Sequence, residues 1–228
     1  MVDEDFLIDY IVVMLTNYRS IIFDFDGVLV DSVKIKTNAF YELYLEFGKE
    51  IAEKVVKHHN ANQGISRYEK FNIYHRRFLG KSLNESQLNA FSDRFSDICL
   101  KSIIDSKEVK GAEWFLNKYH NKKQFWIVSA TPSKELRKIV KLRKLEKYFK
   151  AVFGSPEKKD SIVMKIIESE SLNRSETLFI GDALADYEAA KSNAISFCLM
   201  ESDENQNMFD KLDPIYRVRN FFGLEIID

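Results

Sequence analysis

Hydrophobic positions along the chain follow two different periods. The run "IIFDFD" at residues 21–26 begins apolar enough for a buried strand, yet it carries Asp24 and Asp26. A buried carboxylate is costly unless it is paired, hydrogen-bonded or bound to a metal, so something at this strand's end must stabilise both acids. After Ser32 the period becomes helical for about seventy residues. Ile35, Ala39, Leu43 and Phe47 make one stripe, Phe71, Tyr74 and Phe78 a second, and Leu88, Phe91, Phe95 and Ile98 a third. From Gly111 onward strands and helices alternate: a helix near 111–119, strand "QFWIVSA", a helix after Pro132, strand "AVFGS", helix "DSIVMKIIES", strand "TLFIGD", helix "YEAAKS" and strand "ISFCLM". "IYRVRNF" is a candidate final edge strand after a polar loop at 201–214.

Such alternation predicts a doubly wound parallel sheet with helices on both faces, an α/β Rossmann-like fold. The strand at 21–25 has no strand neighbour in sequence, so it must join the later strands across the helical block. The expected organisation is a core of 18–33 and 106–228, an inserted helical domain at 34–105 and a leading segment at 1–17. Within that segment Phe6, Leu7, Tyr10, Ile11 and Met14 fall at helical spacing. Its acidic start and its lack of a small-residue cleavage site argue against a secretory signal, and the run is too short to span a bilayer.

Composition narrows the field. A hydrophobic content of 45% supports a packed core over 228 residues. The formal charge of -1 gives no general attraction to nucleic acid or to an anionic membrane. Cys99 and Cys198 cannot build a disulfide framework and are expected in the core of a cytoplasmic protein.

In open parallel sheets ligands lie outside the carboxyl ends of the strands, and four polar clusters fall at such ends here: Asp24 with Asp26, Ser129, Lys159, and Asp182 with Asp186. Each alone has a plain explanation as a cap or turn. Together they ask for one. Converging carboxylates repel by roughly 4 kcal/mol per pair 4 Å apart at a dielectric of about 20, and a divalent cation resolves this. An all-oxygen donor set with no His or Cys suits Mg²⁺. A carboxylate beside that ion is positioned to attack phosphorus, with the lysine neutralising the phosphoryl oxygens.

These residues resemble the motifs of the haloacid dehalogenase superfamily. "DFDGVLVDS" is similar to its first motif, DxDGxxxD; "IVSATP" to its second; "GSPEKKD" to its third; and "GDALADYEAA" to its fourth, GDxxxD. The helical block between the first and second motifs resembles the α-helical cap of one subgroup. The resemblance implies that Asp24 is the nucleophile and Asp26 the general acid and base, for which its pKa is expected to be raised. It further implies that Ser129 and the Ala130 amide bind phosphoryl oxygens and that Lys159, rather than Lys158, bridges phosphate and nucleophile. Asp24, the Asp26 carbonyl, Asp182 and Asp186 would hold Mg²⁺.

By the same resemblance, an acid at position 26 implies C–O–P chemistry rather than dehalogenation. The expected partner is a small phosphorylated metabolite, a sugar phosphate or phosphoglycolate-like monoester, with no nucleic acid, no stable membrane association, and a monomer or homodimer. The competing reading is a sugar-phosphate mutase of the β-phosphoglucomutase kind. "GISRYEKF", residues 64–71, resembles that enzyme's second-phosphate segment and makes Arg67 a candidate substrate ligand. Equally, Ser66 is a candidate N-cap with Glu69 completing a capping box and Arg67 solvated. Lys36 stands where the mutase has a histidine, and the GD form of the fourth motif is the phosphatase form, so hydrolysis is favoured. A non-catalytic phosphometabolite-binding module is the remaining alternative. Adjacent His58 and His59 point about 100° apart, and neither has a partner ligand at i+4, so they are expected on the surface or facing the hinge. Trp114 and Trp126 are expected in the core.

Overall fold

A computed structural model describes residues 15–210, 212 and 216–224. The leading helix expected over residues 6–14 lies outside the described residues. Six parallel strands form one sheet: β1 (Ser20–Phe23), β2 (Gln124–Pro132), β3 (Ala151–Ser155), β4 (Thr177–Gly181), β5 (Ser196–Met200) and β6 (Tyr216–Val218), in the order β3-β2-β1-β4-β5-β6. The candidate edge strand is therefore the sheet's outermost member. β1 is flanked by both β2 and β4, with Ile21 aligned to Phe125 on one side and Leu178 on the other. Strand order reverses at β1, and that reversal opens a crevice beyond its carboxyl end.

Alternation along the strands feeds two apolar layers. Ile21, Phe23, Phe125, Ile127, Leu178 and Ile180 pack with α5 (Ala112–Tyr119) and α6 (Ser133–Leu142). Ile22, Trp126, Val128, Phe179 and Phe197 pack with α7 (Lys159–Ser169) and α8 (Leu184–Ser192) on the other face. Trp126, Cys99 and Cys198 are buried, whereas Trp114 is exposed and lies against Phe222, correcting the expectation that both tryptophans are core residues.

Four helices lie between β1 and β2: α1 (Val33–Tyr44), α2 (Lys49–Ala61), α3 (Arg67–Phe78) and α4 (Glu85–Asp105). Phe40, Tyr44, Phe71, Tyr74 and Phe95 form an aromatic cluster among them. The chain enters and leaves this block side by side. The Asp31 amide donates to the Lys107 carbonyl at 3.0 Å, the Val109 amide to the Leu29 carbonyl at 3.2 Å, and Val30 bridges Glu108 antiparallel. Among the described residues no helix is long and apolar enough to cross a membrane.

Candidate active site

β1 ends at Phe23, two residues earlier than its apolar run suggests, because the backbone turns there. Asp24 still donates its amide to the Ile180 carbonyl, but the Phe25 carbonyl accepts from the amides of Leu29 and Val30, closing a tight loop. The two acids thus leave the ladder at the switch point. Gly27 has φ of +77°, and a Cβ there would stand 2.1 Å from Asp182 Oδ2, so glycine is required both for the backbone and for the approach of Asp182. β2 carries a register shift between Val128 and Pro132 that includes Ser129, Ala130 and Thr131, the kind of irregularity that re-aims side chains beside a site.

Asp24, Asp182 and Asp186 are buried, and one carboxylate oxygen of each lies within 4.8 Å of the others. Lys159 Nζ stands 2.9 Å from Asp24 Oδ2 and 2.5 Å from Asp186 Oδ1. Lys158, by contrast, is exposed at the start of α7. Asp186 Oδ2 accepts the Ala183 amide at 3.1 Å, Asp24 Oδ1 accepts the Phe25 amide at 2.7 Å, and Asn205 Nδ2 donates to the Asp182 carbonyl at 2.8 Å. Burial works to lower the Lys159 pKa, but the charges of Asp186 and Asp24 prevail and hold it above the usual lysine value. Burial first, then the neighbouring acids, pushes Asp182 well above the carboxylate range. Burial likewise drives Asp186 up to about 7, against the pull of Lys159. Three acids share one ammonium. The residual negative charge, the all-oxygen donors and the close approach fit a divalent cation of the Mg²⁺ type.

Asp26 belongs to a second network. Its Oδ1 accepts from Ser32 Oγ at 2.6 Å; its Oδ2 accepts from Lys36 Nζ, from Thr131 Oγ1 at 2.9 Å and from Ser129 Oγ at a long 3.5 Å. Lys36 Nζ also donates to Thr131 Oγ1 at 2.7 Å. Burial favours a raised Asp26 pKa, but Lys36, with Ser32 and Thr131, outweighs it and lowers the value. The expectation of a raised pKa is corrected: the fold supplies an ammonium ten residues on. Lys36, noted in the sequence only as standing in place of a mutase histidine, and Thr131, which the motifs did not single out, both contact Asp26 and line the same cavity.

Asp24, Asp26, Ser129, Ala130, Arg67 and Asp182 line one cavity of about 60 Å³, whose helical side is formed by Val33, Lys36, Phe40, His59, Gly64, Lys70 and Phe95 among others. Arg67 faces it, but its guanidinium is engaged elsewhere. Its two amino groups donate to Glu135 on α6 at 2.6 and 2.9 Å, one also reaches Ser96 Oγ at 2.8 Å, and the group lies 4.5 Å over the Phe95 ring. Ser66 does cap α3, accepting the Tyr68 amide at 3.3 Å, yet Arg67 is buried rather than solvated. His59 is also buried, its ring tilted against Phe40, because α2 turns its Ala52–Val55–His59 stripe inward; the surface expectation holds only in part for the half-buried His58.

A six-stranded parallel sheet whose switch point carries three buried acids and a lysine, with a further acid beside them, defines a Rossmann-like α/β core with a polar site at its switch point. The model of the haloacid dehalogenase-like hydrolase family matches residues 21–200, and the chain belongs to that family. No curated protein matches it in sequence. Among solved structures it is similar to β-phosphoglucomutase from Clostridium difficile (18% identity, 91% of this chain and 93% of that one, TM-score 0.69). It is also similar to a "predicted phosphoglycolate phosphatase" from Haemophilus somnus (17%, 90% and 95%, 0.68) and to Bacillus subtilis YfnB, solved bound to magnesium (18%, 90% and 96%, 0.66). At such identities these likenesses show the fold.

Proposed function

We propose that the protein is a Mg²⁺-dependent phosphomonoester hydrolase that works through an aspartyl-phosphate on Asp24, with residues 34–105 acting as a cap over the core. The observation that carries this reading is the pairing of Asp24 with Lys159 beside two further buried acids, while a different acid, Asp26, stands apart on its own donors. Asp24, Asp182 and Asp186 are the side chains that would hold the ion, with the Asp26 carbonyl beside them. When bound, the ion supplies positive charge for the phosphoryl oxygens.

In the first step Asp24 attacks phosphorus, the bond to the leaving oxygen breaks, and Asp26 gives that oxygen its proton. Water then attacks the aspartyl-phosphate, Asp26 takes the water's proton, and phosphate leaves with Asp24 restored. The Lys36 ammonium stabilises ionised Asp26 and so favours the second step. An arriving ester that draws Lys36 away raises the carboxyl's affinity for a proton, as the first step requires. Ser129 and the Ala130 amide bind phosphoryl oxygens, and Lys159 orients Asp24 while offsetting its charge. The mutase alternative is weakened because its candidate ligand for a second phosphate, Arg67, is held by Glu135. Purified protein should hydrolyse p-nitrophenyl phosphate with Mg²⁺, and EDTA or Asp24→Asn should abolish the rate. Turnover that survives either treatment overturns the reading.

A further inference from the structure

One charged group at the cavity has no acid to answer it. Lys70 on α3 is 2% exposed, and among the described residues no carboxylate contacts it. Its Nζ instead lies 2.8 Å from His59 Nδ1 and 5.5 Å from the centre of the Phe40 ring. A buried ammonium without a counter-charge is costly, and such lysines are rare. His59 is 5% exposed, and its Nε2 is buried with no hydrogen-bond partner. Burial, with the Lys70 and Lys36 charges behind it, keeps His59 well below its usual pKa, so the ring is neutral. With Nδ1 accepting from Lys70, the ring proton sits on Nε2. The result is two unanswered donors on α2 and α3, both lining the cavity that also holds Asp24, Asp26 and Ser129.

We propose that Lys70 and His59 form a subsite for a carboxylate on the leaving group of the phosphoester. The charge count selects this class: one ammonium and one neutral N–H match a single negative charge, whereas a second phosphate dianion would leave charge uncompensated. Burial pushes the Lys70 pKa down to about 7, aided by Lys36 and Lys159 and only partly opposed by the charges of Asp26 and Glu69, and a bound carboxylate would favour the ammonium. Arg67 does not compete for this role, because its fork is filled by Glu135.

The inference rests on the phosphatase reading for the position of the phosphoryl group, and its test is separated from turnover. In the Asp24→Asn protein with Mg²⁺, calorimetry would measure the Kd of 2-phosphoglycolate and of 2-hydroxyethyl phosphate, its counterpart without the carboxylate. The carboxylated ester should bind about tenfold or more tightly, the usual worth of a charge-assisted hydrogen bond. Adding Lys70→Met should collapse the ratio toward one, Lys70→Gln should do the same, and Lys70→Arg should keep part of it. A ratio between two esters is insensitive to any loss common to both. No preference in the Lys70 protein, or a preference that survives both Lys70→Met and Lys70→Gln, overturns the subsite. Failure of the wild type to hydrolyse either ester would count against the phosphatase reading, while the binding ratio would still decide the subsite.

Discussion

The ion pair between Arg67 and Glu135 ties helix α3 to helix α6 and offers a quantitative test of why Arg67 is where it is. The two side chains are 4% and 10% exposed, and both guanidinium amino groups are engaged by the carboxylate. Replacing Glu135 with leucine leaves a buried guanidinium with only Ser96 Oγ and, at 3.4 Å, the Ser92 carbonyl. Removing one partner of a buried pair costs about 3–5 kcal/mol, much of it the stranded charge. At about 2–4 °C per kcal/mol for a chain of this size, Glu135→Leu should lower Tm by roughly 6–20 °C. Combining it with Arg67→Met removes the stranded charge and supplies apolar contact with Phe95, so the double variant should recover most of that loss. The assay is a double-mutant cycle by scanning calorimetry. Glu135→Leu melting within about 2 °C of the wild type would refute the argument, since that is less than the cost of 1 kcal/mol. Kinetics supply the complement. Arg67→Met should lower kcat/KM on p-nitrophenyl phosphate and on a carboxylated ester by similar factors, because it loosens the helical block over the site. A loss confined to the carboxylated ester would return Arg67 to substrate recognition.

Further outcomes follow from the acid clusters. Asp26→Asn should lower kcat by about 10²–10⁴, and an unchanged kcat would point to another proton carrier. Gly27→Ala forces an L residue to φ +77° and sets a methyl 2.1 Å from Asp182 Oδ2, so the Mg²⁺ concentration for half-maximal activity should rise; an unaltered requirement would separate Asp182 from the metal. Asp182 and Asp186 are raised by burial first and then by neighbouring acids, Asp24 in both cases, and so hold protons below their folded pKa values. Protons therefore compete with the ion as pH falls, and the rise in Tm on adding Mg²⁺ should be larger at about pH 7.5 than at about pH 5.5. Equal rises at both values would contradict the assignment. Comparing with and without metal at each pH cancels the contribution of His59, whose lowered pKa removes stability on acidification in either case.

The fold and the core acids were legible because their signals are local. A short continuous apolar run closing on acids marks the end of a strand buried on both faces, and helices between such runs favour parallel pairing, so β1 in the middle of the sheet follows from its lack of a neighbour in sequence. Partner choice was not legible. Asp26 meets Thr131 across 105 residues and Arg67 meets Glu135 across 68, distances over which only the packed helices decide who meets whom. The helical side of the cavity is a different case, because its signal was present and overruled by residue type. On α3 the buried positions are Arg67, Lys70, Phe71, Tyr74 and His75, a stripe at i, i+3, i+4, i+7 and i+8, and on α2 His59 continues Ala52 and Val55. Charge suggested solvent for Arg67 where spacing pointed inward. A cation whose place on an apolar stripe contradicts its polarity has been drawn into the interior by something specific: for Arg67 that is Glu135, and for Lys70, which no carboxylate contacts among the described residues, the proposed subsite leads to the substrate.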